Sequence, residues 1–105
     1  MNTNQTNEQQ PDQDQPIILR LYVAGMTRTA RKAFANLEEI CENHFPGKYK
    51  IEVLDLKKHP QVAMDDEVFA VPTVVRQLPP PIRKVIGDLS DSEEVLVGLE
   101  LLSMK

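Results

Sequence analysis

Residues 17–23 read IILRLYV, and residues 49–56 read YKIEVLDL. The first run is almost continuously apolar, which is typical of a strand buried on both faces of a sheet. The second run begins by alternating apolar and polar side chains, which is typical of a half-buried strand. Between them, residues 30–45 carry apolar side chains at spacings of three and four and predict an amphipathic helix, which Thr27 or Thr29 would cap. A strand, a helix and a strand in this order predict a right-handed βαβ unit with parallel strands.

The composition points to one small domain preceded by a polar tail. Residues 1–16 carry three acidic side chains, no basic one and no apolar one after Met1, and they predict a disordered tail. Residues 17–105 would form the domain, in which 13 acidic and 12 basic side chains nearly balance. A nucleic-acid binder would instead be strongly basic, so we expect no nucleic-acid partner. The sequence also shows no apolar run long enough for a membrane span or a signal peptide, and its one cysteine cannot form an internal disulfide, which predicts a cytoplasmic protein without a membrane partner.

The second half of the chain gives a less decided pattern. Pro60 opens a short predicted helix, and residues 73–78 and 82–86 predict strands on either side of three consecutive prolines. Residues 90–102 satisfy two patterns. A capping box and apolar spacing favour a helix, whereas the β-branched content favours a strand, and a glycine costs a helix interior ~1 kcal/mol relative to alanine. The pattern alone leaves helix and strand open there.

The order of the elements resembles that of a thioredoxin-like domain, with residues 70–73 (AVPT) at the place of a proline whose preceding bond is cis. Redox chemistry in that fold requires a Cys-x-x-Cys pair in the turn after the first strand. This chain has GMTR at residues 25–28, and its one thiol, Cys41, lies on the apolar stripe of the first predicted helix. His44 and His59 have no carboxylates at metal-ligand spacing. We therefore expect no catalytic residue, no metal and no cofactor, and an enzyme of thioredoxin-like descent is disfavoured.

Six short motifs within residues 17–103 stand in a distinctive order. They are LRLYVAG at 19–25, KHPQ at 58–61, AVPT at 70–73, LPPPIR at 78–83, IGDLS at 86–90 and GLELL at 98–102. Together they resemble the KaiB family of circadian-clock proteins.

The resemblance implies a non-enzymatic regulator that binds a KaiC-like ATPase and autokinase and modulates its phosphorylation and signalling output. A KaiA-like protein or a sensor histidine kinase would be further partners. It implies one small α/β domain with two arrangements: βαββααβ in the free homodimer or homotetramer, and thioredoxin-like βαβαββα in the bound protein. Residues 17–56 would be the constant half and residues 60–103 the switching half. A divergent KaiB-like adaptor in stress response or two-component signalling, without an oscillator, is the alternative.

The resemblance also implies two sets of functional residues. Partner-binding residues would lie on the edge of the second strand, in the loop after it and on the second helix: Lys50, Glu52, Lys57, Gln61 and Asp65. Residues of the fold switch would be Pro72, Pro79, Pro80, Pro81, Gly98 and Glu100. Because glycine is poor in a helix, we expect Gly98→Ala to favour the thioredoxin-like arrangement by up to ~1 kcal/mol. Glu52 and Glu67 are acidic where clock members of the family tend to have lysine.

Overall fold

The computed structural model of the chain describes residues 16–105, so the tail predicted over residues 1–16 lies outside the described residues except for Pro16. Four strands, three α-helices and a short 3-10 helix form the described part. In chain order they are β1 (Ile17–Val23), α1 (Arg28–His44), β2 (Tyr49–Asp55), α2 (Pro60–Asp65), β3 (Thr73–Leu78), β4 (Arg83–Ile86), α3 (Ser92–Gly98) and the 3-10 helix (Leu102–Met104).

The βαβ unit predicted for the first half is confirmed. Strands β1 and β2 are parallel neighbours, with Ile17 opposite Tyr49. Thr27, not Thr29, caps the connecting helix α1, because its Oγ1 accepts a hydrogen bond from the Ala30 N–H at 3.1 Å. The apolar stripe of α1 is buried against the sheet, which is why the helix forms where the spacing of three and four begins.

The sheet has the strand order β2-β1-β3-β4, with β3 antiparallel to β1 and β4 antiparallel to β3. Successive side chains of a strand point to opposite faces, so β1 contributes to two clusters. Leu19 and Leu21 belong to the larger core, which also contains apolar residues of α1 and α3. Tyr22 belongs to a smaller cluster with Val68 and Val75, against which Val62 of α2 packs. The sheet is therefore covered on one face by α1 and α3 and on part of the other face by α2.

The segment that the sequence left open between helix and strand is the helix α3. Asp91 caps this helix, and its Oδ1 accepts a hydrogen bond from the Glu94 N–H at 3.1 Å, whereas the capping box would have placed Ser90 there. Val95 and Leu99 are fully buried in the larger core. Their spacing of four residues matches a helix, so burial on the sheet decides what local propensity could not.

The element order βαβαββα is the thioredoxin-like arrangement of the two that the resemblance implies. The βαββααβ order expected for the free protein is not the one in this structure, and the homodimer or homotetramer that would accompany it stays a prediction. The peptide bond between Val71 and Pro72 is cis, as expected for this fold, and so are the bonds Leu78–Pro79 and Pro80–Pro81.

A buried arginine connects several segments within residues 73–104. Arg76 lies on β3 and is 3% exposed. Its Nε and Nη2 donate to the Pro81 carbonyl oxygen at 3.2 and 3.0 Å, and its Nη1 donates to the Glu100 carbonyl oxygen at 3.1 Å. Arg76 therefore joins the triple-proline loop to Glu100, the second residue after α3. Burial lowers the pKa of Arg76 from its usual value, but three hydrogen bonds to carbonyl oxygens and one to the Met104 Sδ compensate in part for the lost water.

Helices α2 and α3 end in the same way. In each, the second residue after the helix has a left-handed backbone, Glu67 with φ 57° and Glu100 with φ 55°. The next N–H then reaches back to a helix carbonyl: that of Val68 to Ala63 and that of Leu101 to Leu96, both at 2.8 Å. This is the Schellman motif, in which glycine is the preferred residue at the left-handed position. A glutamate there carries conformational strain at both helix ends.

Candidate partner-binding surface

The loop between β2 and α2 is tied to the turn that follows β1. One carboxylate oxygen of Asp55, Oδ1, accepts hydrogen bonds from the N–H groups of Gly25 and Lys57, both at 2.9 Å. These two bonds, Gly25 first, hold the pKa of Asp55 below its usual value. The Lys57 side chain packs over Gly25, since a Cβ built on that glycine would lie 3.4 Å from the Lys57 Nζ. Lys57 is thus an exposed cation with a fixed backbone.

The outer face of α2 carries two of the predicted partner-binding residues. Gln61 and Asp65 are both exposed and stand one helical turn apart, and the Gln61 Nε2 donates to the Asp65 Oδ1 at 3.3 Å. Lys57 lies in the loop that precedes this helix, where it contacts Asp55 and Gly25. The structure therefore brings Gln61 and Asp65 into contact and places Lys57 in the adjoining loop.

The other two predicted residues lie on β2, which is an edge strand because it pairs only with β1. Lys50 is exposed, and its Nζ is 3.9 Å from the Glu52 Oε2. The Oε1 of Glu52 lies 3.3 Å from both Nε and Nη2 of Arg20, the residue opposite it on β1. Glu52 is therefore already paired with cations of its own domain, whereas the backbone of β2 leaves one edge open.

A polar network anchors α2 to the sheet. The Tyr22 hydroxyl donates to the Asp66 Oδ2 at 2.5 Å, and the Arg20 Nη1 lies 3.5 Å from the same oxygen. Burial and the hydrogen bond to Asp66 raise the pKa of Tyr22, so this hydroxyl stays protonated. Since Arg20 also contacts Glu52, the network connects the edge strand with the end of α2. The predicted residues on β2 and those on α2 are therefore connected through the side chains of Arg20 and Tyr22.

Two exposed apolar residues, one on α2 and one in the loop after it, are not among those that the sequence indicated. Met64 on α2 is 74% exposed, and Phe69 in the loop after α2 is 88% exposed. Met64 lies next to Asp65 in the chain and three residues after Gln61, so it shares their side of the helix. A large exposed aromatic side chain beside polar neighbours is characteristic of an interaction site. The sequence could have indicated these two residues only through the short length of the predicted helix α2. A helix of six residues leaves the side chains of Met64 and Phe69 uncovered.

The predicted fold-switch residues lie in two groups. Pro72 is buried at the start of β3, while the triple proline and Glu100 meet at Arg76. The carboxylate of Glu100 accepts a hydrogen bond from the Arg83 Nε at 2.8 Å, which holds the pKa of Glu100 below its usual value. These contacts belong to the observed arrangement.

Gly98 lies at the end of α3, where a Cβ would come within 2.6 Å of the Val85 Cγ2. The expectation that alanine at this position simply favours the thioredoxin-like arrangement therefore needs correction. The gain in helix propensity is opposed by an overlap with β4, which no sequence pattern could reveal.

The single cysteine of the chain lies in the core. Cys41 is 1% exposed, and burial raises the pKa of its thiol to about 12, far from the range of a reactive thiolate. Within residues 16–105, no group of three or more His, Cys, Asp or Glu side chains is placed to hold a metal ion. Over the same residues, no helix is both long and apolar enough to cross a bilayer.

These features define a thioredoxin-like domain that lacks the thiol pair of the redox enzymes and exposes a mixed polar and apolar surface around α2. Solved structures agree with this class. The N-terminal domain of Synechococcus elongatus SasA matches with a TM-score of 0.71 and 19% identity over 85% of this chain and 86% of that one. Thioredoxin 3 from Saccharomyces cerevisiae mitochondria matches with a TM-score of 0.63 and 17% identity over 84% and 80% of the two chains.

The chain belongs to the KaiB family, because the KaiB domain model matches residues 20–101. The circadian clock oscillator protein KaiB of Prochlorococcus marinus subsp. pastoris is 53% identical over 85 residues, which are 81% of this chain and 79% of that protein. The protein of the same name from Trichodesmium erythraeum is 52% identical over 81% of this chain and 82% of its own. Both relatives are named as clock proteins and not as enzymes.

Proposed function

We propose that this protein is a non-enzymatic regulator that binds a KaiC-like ATPase and autokinase and modulates its phosphorylation and signalling output. The observation that carries the proposal is the identity of 52–53% with clock oscillator KaiB proteins over 81% of the chain. The matched region covers 85 residues, so it contains exposed residues that could bind a partner as well as buried residues of the core. The absence of a Cys-x-x-Cys pair in the sequence agrees with a binding role.

The contact would centre on the outer face of α2. Lys57 and Asp65 supply opposite charges, which favour one orientation of the partner and speed up encounter. Met64 and Phe69 supply apolar area, and exposed aromatic side chains of this kind often account for much of an interface's binding energy. Lys50 and the open edge of β2 would serve a further partner, such as a KaiA-like protein, through strand pairing.

The test measures the affinity of the purified protein for the KaiC-like ATPase of the same organism. We expect Asp65→Lys and Phe69→Ser each to weaken binding by about tenfold or more, which corresponds to ~1.4 kcal/mol. Glu38→Lys on α1 and Val97→Ser on α3 are matched controls, because both residues are exposed on other helices. Equal affinity of all four variants would contradict the proposed surface, and no binding of the unaltered protein would contradict the proposed partner.

The alternative is a KaiB-like adaptor in stress response or two-component signalling without an oscillator, for which the same domain and surface would serve. The two functions differ in the partner that the same surface would meet. Capture of a sensor histidine kinase but not of a KaiC-like ATPase, lost in Asp65→Lys and kept in Glu38→Lys, would favour the adaptor.

A further inference from the structure

A groove of about 800 Å³ lies at the end of the sheet remote from the α2 surface. Its apolar lining includes Ile17, Phe45 and Met104, together with the three prolines at residues 79–81. The groove is open to solvent and takes in the start of β1, the end of α1 and the end of the chain. We call it the proline groove.

The charged side chains of the proline groove are mostly cationic. Lys48, Lys105 and the buried Arg76 line it, and Glu100 is its one acidic lining residue among the described residues. The Glu100 carboxylate is already paired with the Arg83 Nε at 2.8 Å. Arg76 has no carboxylate oxygen within 4.0 Å in the part of the chain that the structure describes, so its positive charge is not neutralised by an ion pair. The charge of Glu100 acts on Arg76 without direct contact, and the charge of Arg83 opposes it. Lys48 and Lys105 add positive charge to the lining, and this excess of cations favours an anionic ligand.

The segment that precedes β1 has the complementary charge. Glu8, Asp12 and Asp14 are its three charged side chains, and all are acidic. The segment joins the domain at the groove itself, because Ile17 lines it and the Ile17 N–H donates to the Lys48 carbonyl oxygen at 2.9 Å. An extended chain covers about 3.3 Å per residue, so Asp14 lies within roughly 10 Å of Ile17 along the chain.

We propose that the proline groove binds the acidic N-terminal segment of the same chain, with its carboxylates beside Arg76 and Lys48. The segment is tethered, so its effective concentration at the groove is in the millimolar range, and weak ion pairs suffice to populate the bound form. The interaction is electrostatic and partly exposed, so salt weakens it.

Binding of the segment favours the observed arrangement of the switching half. The groove exists because Arg76 brings the Pro81 and Glu100 carbonyl groups together. A ligand that binds one arrangement better than another shifts the equilibrium towards it. The N-terminal segment is thus an internal ligand of the thioredoxin-like arrangement. This inference does not depend on which partner binds the α2 surface.

The test places a nitroxide label on the full-length chain through Thr3→Cys and records the paramagnetic broadening of backbone amides. Cys41 does not compete for the label, because it is buried and its thiol pKa is about 12. The broadening caused by the label is compared for three forms of the segment. They are the unaltered segment, the neutralised segment (Glu8→Gln, Asp12→Asn and Asp14→Asn) and a control that keeps the three acidic residues (Gln9→Asn, Gln13→Asn and Gln15→Asn). Lys48→Gln supplies a groove variant that leaves the core intact, since Lys48 is exposed.

We expect the amides of Lys48, Ser103 and Lys105 to broaden at least about twofold more with the unaltered or the control segment than with the neutralised one, as tethered ion pairing requires. Lys48→Gln and about 0.5 M salt should each reduce the difference. Equal broadening in all backgrounds would overturn the proposal. Broadening centred on Gln61 would also overturn the proposal, because it would assign the segment to another surface. Broadening seen only between labelled and unlabelled molecules would overturn it as well, because it would assign the segment to a second copy of the chain.

Discussion

The contact between Gly98 and Val85 gives the sharpest test of how α3 is held on the sheet. A Cβ on Gly98 would lie 2.6 Å from the Val85 Cγ2 but 4.0 Å from the Val85 Cβ. The first distance is an overlap and the second is an ordinary contact. Removal of the two Val85 methyl groups should therefore make room for the methyl group of an alanine at position 98.

Two effects oppose each other in Gly98→Ala. Alanine gains about 1 kcal/mol over glycine in a helix interior, and less near its end. An overlap in a packed site costs about 1–3 kcal/mol unless the neighbour moves, and β-branched Val85 has few other rotamers on its strand. We expect the single variant to lose about 0–2 kcal/mol of unfolding free energy. In the Val85→Ala background the same change should gain up to about 1 kcal/mol.

The assay is urea unfolding followed by circular dichroism on the four proteins of the cycle, at matched concentration. The coupling between the two positions should be about 1–3 kcal/mol, well above the ~0.5 kcal/mol within which independent sites add. Ile86→Ala is the control partner, because Ile86 is an exposed neighbour of Val85 on β4 that makes no close contact with Gly98. A coupling below about 0.5 kcal/mol with Val85→Ala, or an equal coupling with Ile86→Ala, would refute the packing argument.

Two substitutions and one labelling experiment test other parts of the structure. Glu67→Gly should raise the unfolding free energy by about 1 kcal/mol, because glycine adopts the left-handed backbone of the α2 end without strain; urea unfolding measures it, and a loss of stability would contradict the assignment. Cys41 should react with a thiol reagent at pH 8 only as fast as the protein unfolds, since its thiol pKa is raised to about 12; rapid native-state labelling would count against its burial. The carboxylate of Asp55 has a lowered pKa in the fold, so its stabilisation is present above its usual value of 3.8 and is lost as the pH falls through the lower folded pKa. Asp55→Asn should therefore flatten the loss of stability in acid, and an unchanged pH profile would show that the bonds to Gly25 and Lys57 contribute nothing.

The sequence predicted the constant half because each of its elements shows one dominant period. Residues 30–45 have helical spacing and no competing strand pattern, so α1 could be placed from the sequence. Residues 95–101 satisfy both periods, and the choice depends on contacts with β3 and β4 that are distant in the chain. Local propensity is a weak guide wherever tertiary packing can reverse it.

The candidate site shows the same limit. Gln61 and Asp65 were indicated by resemblance and do share one exposed face, whereas Phe69 was missed because exposure depends on where α2 ends. In the sequence, Arg76 was only a charged residue within a predicted strand, and nothing indicated that its side chain would be buried. Its partners are carbonyl groups 5 and 24 residues away, and a backbone carbonyl leaves no trace in a residue pattern.

Hydrogen bonds join the end of helix α2 to strand β4. The carbonyl groups of Asp66 and Glu67, at the end of α2, accept hydrogen bonds from the Nζ of Lys84 on β4 at 3.1 and 2.7 Å. From the other side, Tyr22 of the constant half holds the Asp66 carboxylate. Helix α2 is therefore held between β1 and β4. The two arrangements that the family resemblance implies stay a prediction, and under it a partner on the outer face of α2 would gain affinity from β4 being in place and would stabilise this arrangement by the same amount.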